Sequence, residues 1–232
     1  CPWLPQDSAA AEAAVAKDPA IVRAMALFAL DRNGWAVREW DEAMARFDAD
    51  QRRIAVEVAQ EHDWFDRAVF TLGKQGTPQQ RAQELRLYTL RFPLHHEATI
   101  KREAAKNRID PAWVAAEIRA ESIFNPKARS HANAMGLMQV LPSTGMATAK
   151  RIGLPWRGAD SLYEPETNII LGTAYLRQML DKYGQPYIAI GAYNAGPAPV
   201  ARWQSQRPGM DPAIWIETEI RTVSCRSSTT CR

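Results

Sequence analysis

Apolar residues recur at three- and four-residue steps through most of this chain, so nearly all of it reads as a succession of short helices. The segment 8–17 starts on Ser8, a capping residue, and is rich in alanine, the best helix former. Pro19 opens a second helix in which Val22, Met25, Ala26, Ala29 and Leu30 share helical spacing, and Asn33-Gly34 is expected to close it. Trp35 to Phe47 puts Trp40, Ala43, Met44 and Phe47 on one face, and a similar helix follows at 49–61 with Ile54, Ala55 and Val58. Asp63 is expected to cap Trp64 to Leu72, Gly73 and Gly76 to break it, and residues 78–90 to form one more helix before Pro93.

The fragment from Leu30 to Trp40 resembles the one from Gln60 to Phe70, an offset of about thirty residues that suggests degenerate helical hairpins, the unit of an α-solenoid, with a plain helical bundle as the alternative. Such a segment shapes or docks and does not catalyse. Arg91-Phe92-Pro93-Leu94 reads as a boundary, which gives a helical region at 1–92 and a second domain at 93–232. The second domain starts with a helix from His95 through Ala105. Asp110 then caps a helix with Pro111 at its first position, a strong start signal. Trp113, Val114, Glu117, Ile118 and Glu121 follow at three- and four-residue steps, so Glu121 lies on the face directed at the core. A buried carboxylate there must raise its pKa or find a partner.

After Glu121 comes a loop through Asn125-Pro126 and Ser130 to Asn133. Gly136 is expected to open a short apolar helix with Leu137, Met138 and Val140 that Pro142 ends. Ser143-Thr144 then start another helix, and Asp160 and Pro165 mark a second loop. Thr167 or Asn168 is expected to cap a helix from Ile169 to Tyr183 with Leu171, Ala174, Tyr175 and Met179 as its core stripe. A last apolar helix runs from Pro186 to Ala192 and ends in Tyr193-Asn194-Ala195-Gly196-Pro197.

Composition narrows the class. With 232 residues, 46% hydrophobic and 24% charged, the chain is an ordinary globular protein. A net charge of +3 suits an anionic polymer but is too small to indicate nucleic acid. No apolar run reaches the ~18 residues of a membrane span, and with no basic leader or apolar signal core in it this chain is expected to carry no signal peptide. Cys225 and Cys231 could pair, leaving Cys1, but their spacing fits no zinc signature and incidental thiols is the simplest reading. His95, His96 and His131 lack the spacing of a metal site, so neither a metal nor a cofactor is expected.

Three ordered motifs carry the chemistry: Glu121-Ser122-Ile-Phe124-Asn-Pro126-Lys-Ala128-Arg-Ser130, then Gly136-Leu137-Met138-Gln139, then Ala192-Tyr193-Asn194-Ala195-Gly196-Pro197. With the helix Asn168 to Leu176, they resemble the catalytic domain of the soluble lytic murein transglycosylases over residues 95–204. The resemblance implies an all-α protein: α-solenoid-like helical hairpins, then a lysozyme-like catalytic domain. It implies a peptidoglycan lytic transglycosylase of the periplasm in which Glu121 is the one catalytic acid. That glutamate would protonate the oxygen between N-acetylmuramic acid and N-acetylglucosamine, then take the proton of the muramoyl 6-hydroxyl as a 1,6-anhydro ring closes. Ser130, Gln139, Leu141, the Ala192 carbonyl, Tyr193 and Asn194 would line the cleft. Peptidoglycan glycan strands are the implied partner, with cell-wall enzymes a further possibility through the N-terminal helices.

The physics fits that role. A free glutamate near pKa ~4.3 is ionised at neutral pH. Burial against Met138, Leu141 and Tyr193 would lift it to ~6–7, where it serves as acid and as base. Ordinary glycosidases need a second carboxylate. An internal hydroxyl nucleophile removes that need, since proximity replaces the captured water. Glu117, one turn earlier, is the nearest second carboxylate and is expected in helix packing or solvent contacts. The family continues after its Trp-Ile-Glu-Thr stretch (here 215–218) into closing helices whose glutamate contacts the site. In this chain a polar tail from Glu219 to Arg232 follows instead. Two other readings stay open: a goose-type-lysozyme-like hydrolase and a non-cleaving glycan-binding protein.

Overall fold

A computed structural model describes residues 8–72 and 95–216, and these fall into two compact units. One comprises the chain up to His95 together with Ile123–Asn125; the other comprises His96–Ser122 and the chain from Pro126. The architecture is all-α, and among the described residues extended pairing is limited to the isolated bridges Arg129–Met135 and Met135–Val140. The helix expected at 78–90, the Arg91–Leu94 boundary, the cysteines and the tail from Glu217 lie outside the described residues.

The first unit holds α1 (Ala9–Ala16), α2 (Pro19–Ala29), α3 (Asn33–Arg46), α4 (Ala49–Glu61) and α5 (Asp66–Leu72). Caps fix their starts. Ser8 Oγ accepts from Ala11 N at 3.1 Å, Asp18 Oδ1 from Ala20 N at 2.9 Å, and Asp48 and Gln51 form a reciprocal capping box. The helices pair as hairpins, α2 on α3 and α4 on α5, and α1 packs against α4. Their shared core holds Ile21, Ala24, Ala36, Trp40, Ala43, Ile54 and Ala59, with Phe28 stacked on Trp64 at 4.7 Å and Trp40 edge-on to the same ring at 5.5 Å.

Two expected signals work differently here. Asn33-Gly34 does not close α2; Asn33 begins α3, and Asp31 (φ 56°) makes the break, with Arg32 N–H reaching back to Leu27 O at 2.9 Å. Asp63 does not cap α5, which starts at Asp66. It sits at φ 60° as the terminator of α4, with Trp64 N–H bonded to Ala59 O at 2.8 Å. In both places an aspartate takes the left-handed position usually given to glycine, in the same six-to-one closure.

The second unit is built on α9 (Pro165–Tyr183). Around it stand α6 (Glu97–Asn107), α8 (Pro142–Ile152), a 3₁₀ turn (Ala159–Tyr163) and α10 (Pro186–Ala195); α7 (Pro111–Ser122) packs on α6, and α11 (Pro197–Gln206) on α10. A short α12 (Pro212–Trp215) seats Trp215 edge-on to Tyr187 and Trp203. The long helix is buried along Asn168, Ile169, Leu171, Thr173, Ala174, Leu176 and Met179. Proline at a helix start is the dominant local signal in this unit, which corrects two expectations. Pro142 opens α8 instead of ending a helix, and α9 begins at Pro165, four residues before Ile169.

Candidate functional site

The candidate acid, Glu121, stands at the end of α7. Asp110 Oδ1 accepts from Ala112 N at 2.8 Å and sets the start of the helix, which fixes the angular position of everything after it. Val114, Glu117, Ile118 and Ser122 are buried, and Glu121 is half-buried in the last turn. Ile123 (φ 52°) and Phe124 (φ 60°) then adopt consecutive left-handed conformations, which ends the helix at once. Non-glycine residues in that region cost about 1–3 kcal/mol each, more readily for a β-branched residue, so the surrounding packing must hold this turn.

Burial pushes the Glu121 carboxyl up to about 7, with the Glu117 charge adding to the shift. Glu117 is itself pushed up to about 7 by burial. It is 5% exposed, and its Oε1 is buried without a hydrogen-bond partner among the described residues. The Trp113 indole one turn earlier opposes the Glu117 shift, yet Trp113 Nε1 is also buried without a partner, so the two groups fall short of a true hydrogen bond. The indole lies near the carboxyl and does not satisfy it.

Residues 136–140 were expected to be helical and are a tight turn. Met135 and Val140 exchange hydrogen bonds, N to O, at 3.0 Å in both directions, and Gly136 (φ 74°) and Gln139 (φ 46°) occupy left-handed positions between them. A Cβ at position 136 would lie 2.1 Å from the Leu162 carbonyl oxygen and 2.3 Å from Asn168 Nδ2, so only glycine fits. Asn168 is the hub. Fully buried, it accepts from Met138 N at 2.7 Å and donates to Met135 O at 2.8 Å and Leu162 O at 2.7 Å. It does not cap α9; its side chain points from the first turn of that helix into the Gly136–Gln139 turn.

The remaining expected site residues divide by what they touch. Tyr193 lies on α10, donates its hydroxyl to Met138 O at 2.8 Å, and is pushed well above its ordinary value by burial and by the charges of Glu117 and Glu121. Tyr193, Glu117 and Glu121 therefore share one electrostatic neighbourhood. Gln139 Nε2 donates to Ala128 O at 3.1 Å and Gly136 O at 2.9 Å, and Ser130 Oγ accepts from Ala134 N at 3.0 Å; both brace the loop from inside. Leu141 is 39% exposed, apolar surface at the start of α8. Ala192 is buried and its carbonyl accepts from Gly196 N at 3.0 Å. Asn194 is exposed and donates to Ile190 O at 3.1 Å along its own helix. Tyr193 and Asn194 belong to α10 itself, which extends to Ala195.

Sequence reasoning missed Asn168 as a tertiary anchor; for Glu117 it left helix packing and solvent contact open, and the structure buries it. An asparagine in the first turn of a helix usually signals a cap, and nothing local distinguishes the two uses. For Glu117 the signal was present: it falls at the centre of the apolar face of α7. Among the described residues no group of three or more His, Cys, Asp or Glu side chains could hold a metal ion.

An all-α unit with a half-buried acid at a helix end, faced by a tyrosine on a neighbouring helix, has the fold of the lytic transglycosylases. The transglycosylase SLT domain model matches residues 98–216, just over half of the chain, and the soluble lytic murein transglycosylase L domain model matches residues 14–77. The chain belongs to the soluble lytic murein transglycosylase family. It is 32% identical to the soluble lytic murein transglycosylase of Salmonella typhimurium over 210 residues, covering 88% of this chain and 31% of that protein. Among solved structures it is similar to lytic transglycosylase Slt of Pseudomonas aeruginosa, determined as an inactive glutamate-to-glutamine mutant (TM-score 0.74, 32% identity, 96% of this chain and 36% of that one). It is likewise similar to the 70 kDa soluble lytic transglycosylase of Escherichia coli (TM-score 0.72, 27% identity, 96% and 35%). The chain thus spans about a third of the length of these relatives.

Proposed function

We propose that this chain cleaves peptidoglycan glycan strands in the periplasm as a lytic transglycosylase, with Glu121 as the single acid and base. The observation that carries this reading is the Glu121 carboxyl, half-buried at a helix end and poised at about 7. At neutral pH a group of that pKa is present in quantity as the acid, and its conjugate base is strong enough to accept a hydroxyl proton. In the first step Glu121 gives its proton to the bridging glycosidic oxygen and the C1–O bond breaks toward an oxocarbenium ion. In the second, the muramoyl 6-hydroxyl oxygen bonds to C1 and its proton returns to the Glu121 carboxylate. No water enters, and the catalyst is restored.

The position of the second carboxyl supports the single-acid reading. Conventional glycosidases place their two carboxyls across the scissile bond, with about 5–5.5 Å or about 6.5–9.5 Å between them. Glu117 and Glu121 are one turn apart on the same face of one helix, so both lie on the same side of any sugar that Glu121 reaches. Glu117 is also buried beneath that surface. Neither the opposite-face nucleophile nor the opposite-face base is available from it. The Pseudomonas relative is described as inactive with a glutamate replaced by glutamine, which suits a mechanism hanging on one carboxyl. The test is Glu121→Gln on purified peptidoglycan, scored by released muropeptides. Cleavage is expected to fall ~10²–10⁴-fold with glycan binding retained. Wild-type rates from a folded Glu121→Gln protein would remove Glu121 from the chemistry.

A further inference from the structure

Glu117 has no role in the reaction just described, yet it is the most deeply buried carboxyl near the site. A glutamate 5% exposed with a partnerless oxygen is costly unless it does something there. It stands one helical turn before Glu121, at the spacing that brings two side chains together, and Tyr193 senses the charge of both. We infer that Glu117 is a positioning residue for Glu121: the two carboxyls act as a pair that carries one negative charge near neutral pH and so leaves Glu121 available as an acid. The inference rests on the reading of Glu121 as the acid.

The surroundings favour pairing over independent behaviour. Tyr193 on α10 is raised by the charges of both carboxyls, and the half-buried Tyr175 of α9 is tilted against its ring at 5.3 Å; both tyrosines are neutral at physiological pH. On α6, the helix packed on α7, the charged groups are Glu97, Lys101, Arg102, Glu103 and Lys106. Its buried Glu103 is held by Arg102, Nε to Oε1 at 2.9 Å, and Lys101 pairs with Glu97 at 2.5 Å. On α7 itself Arg119 sits two residues from Glu117 and from Glu121, hence on another face. Trp113 leans toward Glu117 without satisfying it. The repulsion between the two carboxyls therefore has no cation of this set aimed at it. When one ionises, the other holds its proton more tightly, and the protons leave in two steps that belong to the pair.

The experiment is a carbon-13 NMR titration of the glutamate carboxyls, assigned with Glu117→Gln and Glu121→Gln, together with pH profiles of kcat/KM. In the wild-type chain the Glu121 carboxyl is expected to titrate in two inflections, the later shared with Glu117. In Glu117→Gln it should titrate in one step, at least about half a unit lower, and the alkaline limb of kcat/KM should move down by the same amount. Glu117→Asp, which keeps the charge, should restore most of the wild-type profile. A single Glu121 step in the wild-type chain overturns the inference, whether or not Glu117→Gln folds. So does an unchanged Glu121 midpoint in a folded Glu117→Gln protein. Because the titration needs no turnover, absent cleavage alongside two-step behaviour would count against the transglycosylase reading and leave the pairing standing.

Discussion

Replacing Asn168 by alanine should unravel the turn that Tyr193 braces. Three buried hydrogen bonds, at 2.7, 2.8 and 2.7 Å, disappear together. Met138 N–H loses its bond to the Asn168 side chain and Leu162 O loses a donor, whereas Met135 O keeps the Val140 N–H. An orphaned buried polar group costs about 1–3 kcal/mol, so the two that lose most give about 3–5 kcal/mol with a small cavity contribution. Against a typical total stability of about 5–15 kcal/mol that is a large fraction. Urea denaturation followed by tryptophan fluorescence reads it directly, as a lower midpoint at unchanged m-value. Asn168→Asp sharpens the test. The carboxylate would keep the acceptor for Met138 N–H but turn a charge toward two carbonyl oxygens, so this variant should lose at least as much at pH 7 and recover part of it at pH 4, where it protonates. A loss below about 1 kcal/mol for Asn168→Ala would refute the claim that this side chain organises the turn.

Other outcomes follow from the same geometry. Gly136→Ala should cost at least about 3 kcal/mol or prevent folding, since its Cβ meets backbone oxygen at 2.1 Å in a left-handed position; circular dichroism and thermal melting decide it. Tyr193→Phe removes the hydrogen bond to Met138 O and should lower stability by about 1 kcal/mol in the same denaturation assay. The raised carboxyls also predict a pH dependence of stability. Because Glu117 and Glu121 bind protons more tightly when folded, the folded state holds more protons between about 4.5 and 7, and stability falls as pH rises through that window. At about 1.4 kcal/mol per unit, each contributes at most about 3.5 kcal/mol of destabilisation above pH 7. Glu121→Gln should therefore be more stable than wild type at pH 8 and indistinguishable near pH 4, as melting temperatures at the two pH values will show.

The parts of this structure that were legible in the sequence are those set by local chemistry. Ser8 and Asp110 cap the helices they precede, Pro19 opens α2, and the face of α7 that carries Glu117, Ile118 and Glu121 followed from spacing alone. Illegible parts depend on partners distant in the chain. Residues 136–140 have helix-forming side chains, but Asn168, about thirty residues on, ties Met138 N and Met135 O into a turn. Asn33-Gly34 reads as the end of α2 and Asp63 as a cap, and the use of Asp31 and Asp63 as left-handed terminators shows only once the closing hydrogen bonds are seen. At the candidate site, the burial of Glu121 follows from its place on the apolar face of α7. Gln139, Ser130 and Asn194 are implied by the resemblance, but their hydrogen bonds run to neighbouring backbone, a distinction that residue identity does not carry.

The central claim is that Glu121 alone directs an internal hydroxyl, and not water, to the breaking bond. Mass spectrometry of the muropeptides that the folded wild-type chain releases from purified peptidoglycan tests it most directly. Products one water lighter than the hydrolytic ones, with 1,6-anhydromuramic ends, are the expected result. Reducing ends would contradict it and place this acid in a lysozyme-type hydrolysis.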